Sequence, residues 1–225
     1  MKKTLPFALV AATLLAQPAL AQTTSTTTGP TWPSLGSLYV LGAVGSAMHD
    51  IDGGGIDRQL GELGYAGAST SVNDDETAWR IGAGWQAMPW LAVELAYFDL
   101  GKPGFTSTAL RPGEFRGTVD VTGWSLDLVP QYQFQNTGFG VFGRVGYART
   151  EAKARYSGTG AFALREDSAT EHNNGWDAGL GVSYAFNRNF SVRGEWTRYF
   201  DIGGDRIGGK FDTDVYSVSA VYRFQ

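Results

Sequence analysis

The sequence predicts an all-β protein, an eight-stranded antiparallel up-and-down transmembrane β-barrel. Three observations predict it. Apolar and polar residues alternate with a period of two over segments of about ten residues, the length at which a tilted strand crosses a bilayer. The connections alternate strictly between short turns and long polar loops, as they do when every tight turn lies on one side of a membrane. After the first twenty-odd residues no apolar run is long enough for a transmembrane helix, so the alternation carries the membrane signal.

Composition agrees with strands and narrows the function classes. Glycine occurs 31 times and aromatics make up 13% of the 225 residues. Glycine at that frequency weakens helices, and aromatics favour strands. Cysteine is absent, which excludes disulfides, thiolate nucleophiles and cysteine-ligated metals. The net charge is −4, with no basic run of the kind a nucleic-acid partner requires.

The first element is an address. Met1-Lys2-Lys3 is a positive n-region, Leu5 to Ala16 is a short apolar h-region, and Ala19-Leu20-Ala21 is a cleavage site. Residues 1–21 are therefore read as a signal peptide cut between Ala21 and Gln22. Residues 22–36 are rich in Thr, Ser and Pro and read as a flexible segment. The barrel occupies 37–225.

Its eight strands are expected at about 37–48, 77–88, 90–100, 118–134, 139–150, 174–186, 189–200 and 213–224. Short turns fall at Met88-Pro89, Gln135 to Gly138 and Asn187-Arg188, and long polar loops at 49–76, 101–117, 151–173 and 201–212. In the sixth strand Trp176, Ala178, Leu180, Val182, Tyr184 and Phe186 share one face, and Asp177, Gly179, Gly181, Ser183 and Ala185 share the other. With eight strands both termini lie on the short-turn side, the periplasm.

In such a barrel the apolar face meets lipid and the polar face fills the lumen, while closure satisfies the backbone groups that lipid cannot. The polar face includes Arg80, Glu94, Asp127, Arg144, Arg193 and Glu195, which are expected to pair inside. Glycines such as Gly82, Gly84, Gly179 and Gly181 are expected to make room for those long charged side chains. Trp85, Trp90, Tyr97, Trp176, Tyr184, Phe186, Tyr216, Tyr222 and Phe224 are expected to form two interfacial girdles. A soluble eight-stranded barrel of the lipocalin type turns its apolar face inward around a ligand. The girdles and the aromatic end at Phe224 favour the membrane form.

Three segments carry a family resemblance. Gly84 to Tyr97 (GWQAMPWLAVELAY), closing at Leu100-Gly101, resembles the strand–turn–strand signature of the OmpA-like transmembrane barrels. Arg193-Gly194-Glu195-Trp196 resembles their seventh strand, and Val218 to Phe224 their closing strand, here followed by Gln225. The resemblance implies an internal ion pair between Glu94 and Arg193. It also implies that barrel-insertion machinery recognises the closing strand. A lysine and a further glutamate that can accompany that pair in the family fall here on Val129 and Ser183, so the family's full charge network is not expected. The peptidoglycan-binding domain that follows some family barrels has no counterpart after the eighth strand.

Candidate chemistry is sparse. His49 and His172, the two histidines, fall in predicted loops and read as solvated. His172-Asn173-Asn174 lacks the serine that the His-x-Ser-Asn pattern of outer-membrane deacylases places at 174. Asp50 to Asp57 looks like a calcium loop, but it has glycine at the fifth position and Gly61 where the twelfth-position glutamate belongs. Ile56 to Leu63 is expected to form a short helical turn. Glu94 and Glu195 are better explained by arginines on the same inner face than by glycosidase chemistry. The sequence therefore points to a non-enzymatic, cofactor-free, monomeric envelope protein in contact with outer-membrane lipid and lipopolysaccharide. A narrow porin-like channel and a loop-mediated adhesin or receptor are the alternatives.

Overall fold

The computed structural model describes residues 36–50, 53–62, 67, 69–73, 75–108, 113–160, 167–204 and 209–224. The signal peptide, its junction at Ala21 and Gln22, residues 22–35 of the N-terminal segment, and Gln225 lie outside them. The strands are β1 (Leu38–His49), β2 (Ser69–Asn73), β3 (Asp75–Met88), β4 (Leu91–Asp99), β5 (Gly104–Thr108), β6 (Gly113–Gln133), β7 (Phe139–Gly160), β8 (Asp167–Ala185), β9 (Phe190–Gly204) and β10 (Gly209–Arg223), with one helix, α1 (Gly53–Glu62).

Eight of these strands close into a ring in the order β1, β3, β4, β6, β7, β8, β9, β10, with β10 pairing back onto β1. Every pairing in the ring is antiparallel and joins strands consecutive among these eight, apart from that closing seam. One circuit along hydrogen-bonded partners runs Arg223, Tyr39, Gly84, Glu94, Asp127, Gly146, Asp177, Tyr199 and returns to β10 at Thr213. The stagger is therefore ten residues, from 223 to 213. For eight strands that sets a tilt of about 40° and a backbone radius of about 8 Å, a lumen that side chains can fill.

The three short turns have identifiable causes. Pro89-Trp90 caps β3, where the ladder slips between Gln86 and Met88. Asn136 adopts φ 61° and Gly138 φ 73° in the β6–β7 turn, a conformation that asparagine and glycine enter most readily. In the β8–β9 turn the Asn187 side chain accepts the backbone N–H groups of Asn189 and Phe190 at 2.9 and 2.8 Å.

The opposite end differs from the sequence expectation. Residues 151–173 and 201–212 were expected to be loops, yet β7 continues to Gly160, β8 begins at Asp167, β9 runs to Gly204 and β10 starts at Gly209. Residues 101–117 contain β5 and the start of β6, and residues 49–76 contain α1 and β2. The helix begins three residues before the expected turn. β2 pairs with β5, and β5 with β6, so the wall widens beyond the ring. At about 3.4 Å per residue and that tilt, the 22 residues of β7 stand about 55 Å tall, against an apolar band of about 25 Å. The strands therefore run on past a band of that height as a hydrogen-bonded ribbon. Its outer face is polar, which is why it reads as loop.

Side chains divide by parity. Val44, Ile81, Leu95, Leu126, Leu180, Val182 and Val218 all point outward and are more than half exposed. A continuous apolar exterior of this kind is tolerated only against lipid or a partner. Aromatics bound it at both ends. Trp79, Tyr97 and Trp124 touch in series, with ring centroids 5.6 and 5.0 Å apart, and Tyr147 meets Trp176 at 6.1 Å. Toward the short turns, Tyr132–Phe134, Phe139–Tyr184, Tyr184–Phe186 and Tyr222–Phe224 lie at 4.7–5.4 Å. Of the nine predicted girdle residues, Trp85, Trp90, Trp176, Tyr184, Phe186, Tyr216, Tyr222 and Phe224 are exposed and Tyr97 is half-buried between Trp79 and Trp124.

Candidate functional site: a charge cluster across the lumen

Parity turns Arg80, Glu94, Asp127, Arg144, Arg193 and Glu195 inward, and the stagger brings them to one level although they come from five strands. Glu94 is fully buried and central. One of its oxygens accepts the Tyr39 hydroxyl at 2.7 Å and the Arg193 guanidinium at 2.6 Å. The other lies 3.1 Å from Arg144 and 3.6 Å from Arg80. Arg144 grips Glu195 with two nitrogens at 2.5 and 3.0 Å and reaches Asp127 at 2.7 Å. Arg80 closes on Asp127 and stands 3.9 Å from Glu195. Ser125 and Thr197 donate to Asp127 and Glu195 at 3.1 and 2.6 Å. Pairing of this kind offsets much of the cost of burying carboxylates and guanidiniums.

The backbone makes space for this. Gly146 sits between Asp127 and Asp177 in the cross-strand row, and a methyl group there would collide with the Asp127 carboxylate and the Leu126 carbonyl. Gly84 lies under the Tyr39 ring in the same sense, which lets the phenol reach across to Glu94. Gly82, Gly84, Gly179 and Gly181 were expected to clear room for charged side chains, but Gly84 and Gly181 clear it for the Tyr39 and Phe142 rings, Gly82 faces Ala96, and Gly179 faces Thr197 and the Trp196 carbonyl. Gly146→Ala should cost about 1–3 kcal/mol through overpacking. Gly42, whose added methyl meets nothing within 4 Å, should accept alanine with a change near zero. Urea unfolding in phospholipid vesicles checks the pair, and equal effects at both sites would mean that Asp127 moves aside freely.

Two apolar tiers enclose the charges. Toward the short turns lie Tyr39, Leu41, Ala92, Val129, Phe142 and Val221, all buried. Arg193 faces the Phe142 ring at 5.0 Å and the Tyr39 ring at 5.4 Å. Toward the ribbon, Phe98, Leu100, Val121, Tyr199, Ile202 and Val215 form a second buried tier among small alanines. Beyond the lower tier Gln131 donates to Gln86 at 2.7 Å, and Gln86 donates to the Met88 and Leu91 carbonyls at 2.5 and 3.2 Å. The lumen is thus filled by layers that a solute would have to separate. Between the cluster and the upper tier lies a small internal cavity bordered by Arg80, Thr197, Tyr199, Ser217 and Ser219.

Asp177 was expected only as one residue of the inner face of its strand. Gln86 and Gln131 were not picked out from the sequence, although inward parity was their signal, and Tyr39 had no such signal, because both faces of its strand are apolar. His49 is a correction. Expected in a solvated loop, it ends β1 in the interior, with its ring nitrogens 2.9 Å from the Thr213 hydroxyl and 3.0 Å from the Leu100 carbonyl, edge-on to Phe211. The β1–β10 pairing, which extends to His49–Thr213, carries it there. His172 is exposed, but on β8 rather than in a loop, 3.7 Å from Glu151. Asp57, from the calcium-like stretch, is in α1 and accepts the Thr70 hydroxyl at 2.6 Å. Among the described residues no group of three or more His, Asp or Glu side chains is placed to hold a metal ion.

Comparisons place this architecture. The model of the outer membrane protein beta-barrel domain family matches residues 7–224. The outer membrane protein OprG of Pseudomonas aeruginosa superposes with a TM-score of 0.52 at 17% identity, over 85% of this chain and 97% of that one. Neisserial surface protein A superposes with a TM-score of 0.48 at 15% identity, over 83% and 97%. At these identities the likeness concerns the fold alone. No curated protein matches the sequence.

Proposed function

Because the chain belongs to the outer membrane β-barrel family, a family of the bacterial outer membrane, we propose that it is a structural envelope barrel, closed to solutes, that displays a rigid ribbon at the cell surface. The observation that carries this reading is the filled lumen, with three guanidiniums interlocked with carboxylates between two apolar tiers. An eight-stranded barrel has little interior to spare, and here ion pairs and rings occupy it. The reading includes export by a leader cut between Ala21 and Gln22 and insertion through the closing strand that ends at Phe224. It also includes monomeric residence in outer-membrane lipid and lipopolysaccharide, with no enzymatic turnover. The ribbon built from β6 to β9, widened by β2 and β5, supports the display role.

Conductance tests it. The wild-type barrel in planar bilayers should show no unit steps. Glu94→Ala combined with Arg193→Ala removes one charge of each sign and leaves space beside Tyr39 and Phe142, so it should show discrete openings. A wild type that conducts steadily would replace the closed barrel with a channel.

A further inference from the structure

Above the upper aromatic belt, the outer face of β6–β8 carries two arginines that stand outside the ion pairs formed among the described residues. Alternate outward positions of β7 beyond Tyr147 are Arg149, Glu151, Lys153 and Arg155. Lys153 closes on Glu151 at 2.5 Å, and that contact holds the Glu151 carboxyl below its ordinary pKa. The other acids on this face are also held. Asp120 is 2.9 Å from Lys102, and Glu114 is 2.9 Å from Arg116. Arg149 and Arg155 enter no ion pair among the described residues. The other side of the ring differs, because Arg198 lies 3.1 Å from Asp212 and 3.3 Å from Asp214.

Height decides what the uncompensated pair meets. Arg149 is directly opposite Trp124 on β6 and Asn174 on β8, one step above the Tyr147–Trp176 contact. Aromatic belts sit at the membrane–water interface, so its guanidinium stands where headgroup phosphates begin. Arg155, six residues farther along β7, is about 15 Å higher at the barrel's tilt, at the level of headgroup sugars. The planar guanidinium fork binds phosphate and carboxylate oxygens in pairs.

We propose that this face of β6–β8 binds the phosphorylated headgroup of an outer-leaflet glycolipid. Arg149 forks to the phosphate nearest the acyl chains, Arg155 meets acidic groups of the saccharide, and Trp124, Tyr147 and Trp176 lie against the chains. The inference rests on the outer-membrane reading above and specifies which wall of the barrel the lipid takes.

The test is native mass spectrometry of the folded protein released from detergent with bisphosphorylated lipid A or with its dephosphorylated counterpart. Wild type should retain the phosphorylated lipid. Arg149→Gln with Arg155→Gln should weaken retention by about tenfold or more, and Arg198→Gln, whose charge is already answered, should leave it unchanged. Equal retention by wild type and the double variant overturns the proposal. So does equal retention of the two lipids, or binding of inorganic phosphate alone as tight as that of the phosphorylated lipid, which would mark a free-phosphate site. Heat-modifiable migration in gels reports separately that each variant is a folded barrel. A chain that stays folded and soluble without detergent would overturn the membrane reading itself.

Discussion

Glu94→Gln should lower the unfolding free energy in lipid by about 3–5 kcal/mol, the usual consequence of removing one partner from a buried ion pair. The reason lies with Arg193. Its guanidinium has Glu94 at 2.6 Å on one side and the faces of Tyr39 and Phe142 on the others. Once Glu94 is neutral, a buried cation is left among rings. Glu195→Gln should cost less, because Arg144 keeps Asp127 at 2.7 Å and Glu94 at 3.1 Å. Glu94→Asp keeps the charge and should fall between wild type and Gln. Urea titrations in short-chain phospholipid vesicles give the order. If Glu94→Gln and Glu195→Gln were equal, the cluster would be redistributing charge freely, and the local account of Arg193 would fail.

The adjacent residue should respond by a different mechanism. Leu95 points outward and is 54% exposed, in a row with Leu126 and Tyr147. Leu95→Arg near the midplane should cost about 2–4 kcal/mol, since lipid offers the charge neither water nor a partner. Leu95→Ala should cost little, because lipid fills the space that a protein core would leave empty. The two values together are diagnostic. A buried core position would lose about 2–5 kcal/mol on Leu→Ala, and a water-facing one would accept arginine. Inward Ala96 is a third case, because it is packed against Gly82 in the row. Arginine there should fail through overpacking, at about 1–3 kcal/mol. A neutral Leu95→Arg would remove lipid from that face.

Parity made much of this legible. Period-two patterning separates Glu94 from Leu95, and it marks Arg80, Asp127, Arg144, Arg193 and Glu195 as inward without any knowledge of which meets which. The partners depend on stagger, a property of the closed ring, so a single strand does not reveal that Asp127 lies between Arg80 and Arg144. The cluster is built without the two positions, Val129 and Ser183, at which the resemblance places a lysine and a further glutamate. Val129 belongs to the apolar tier, and three arginines supply the positive charge. The ribbon was legible in one place. Ala148 to Arg155 alternates small residues with charged ones (ARTEAKAR), a strand whose outer face is charged and whose inner face is mostly alanine, too weakly apolar for a hydropathy criterion. The pairing of β2 with β5 had no such signal, because five-residue strands rich in Ser and Thr resemble any polar connection.

The ribbon also bears on how the cell surface is approached. A loop of similar length on a smooth barrel rim would sample many positions, and anything that gripped it would first have to order it, at about 1–2 kcal/mol per residue. Here β6, β7 and β8 are laddered from Arg155 and Tyr156 down to the membrane, so that cost is met when the barrel folds. Reach and orientation are therefore properties of the wall, and a visitor encounters a fixed edge. Such an edge binds quickly what already fits it and adapts poorly to what does not.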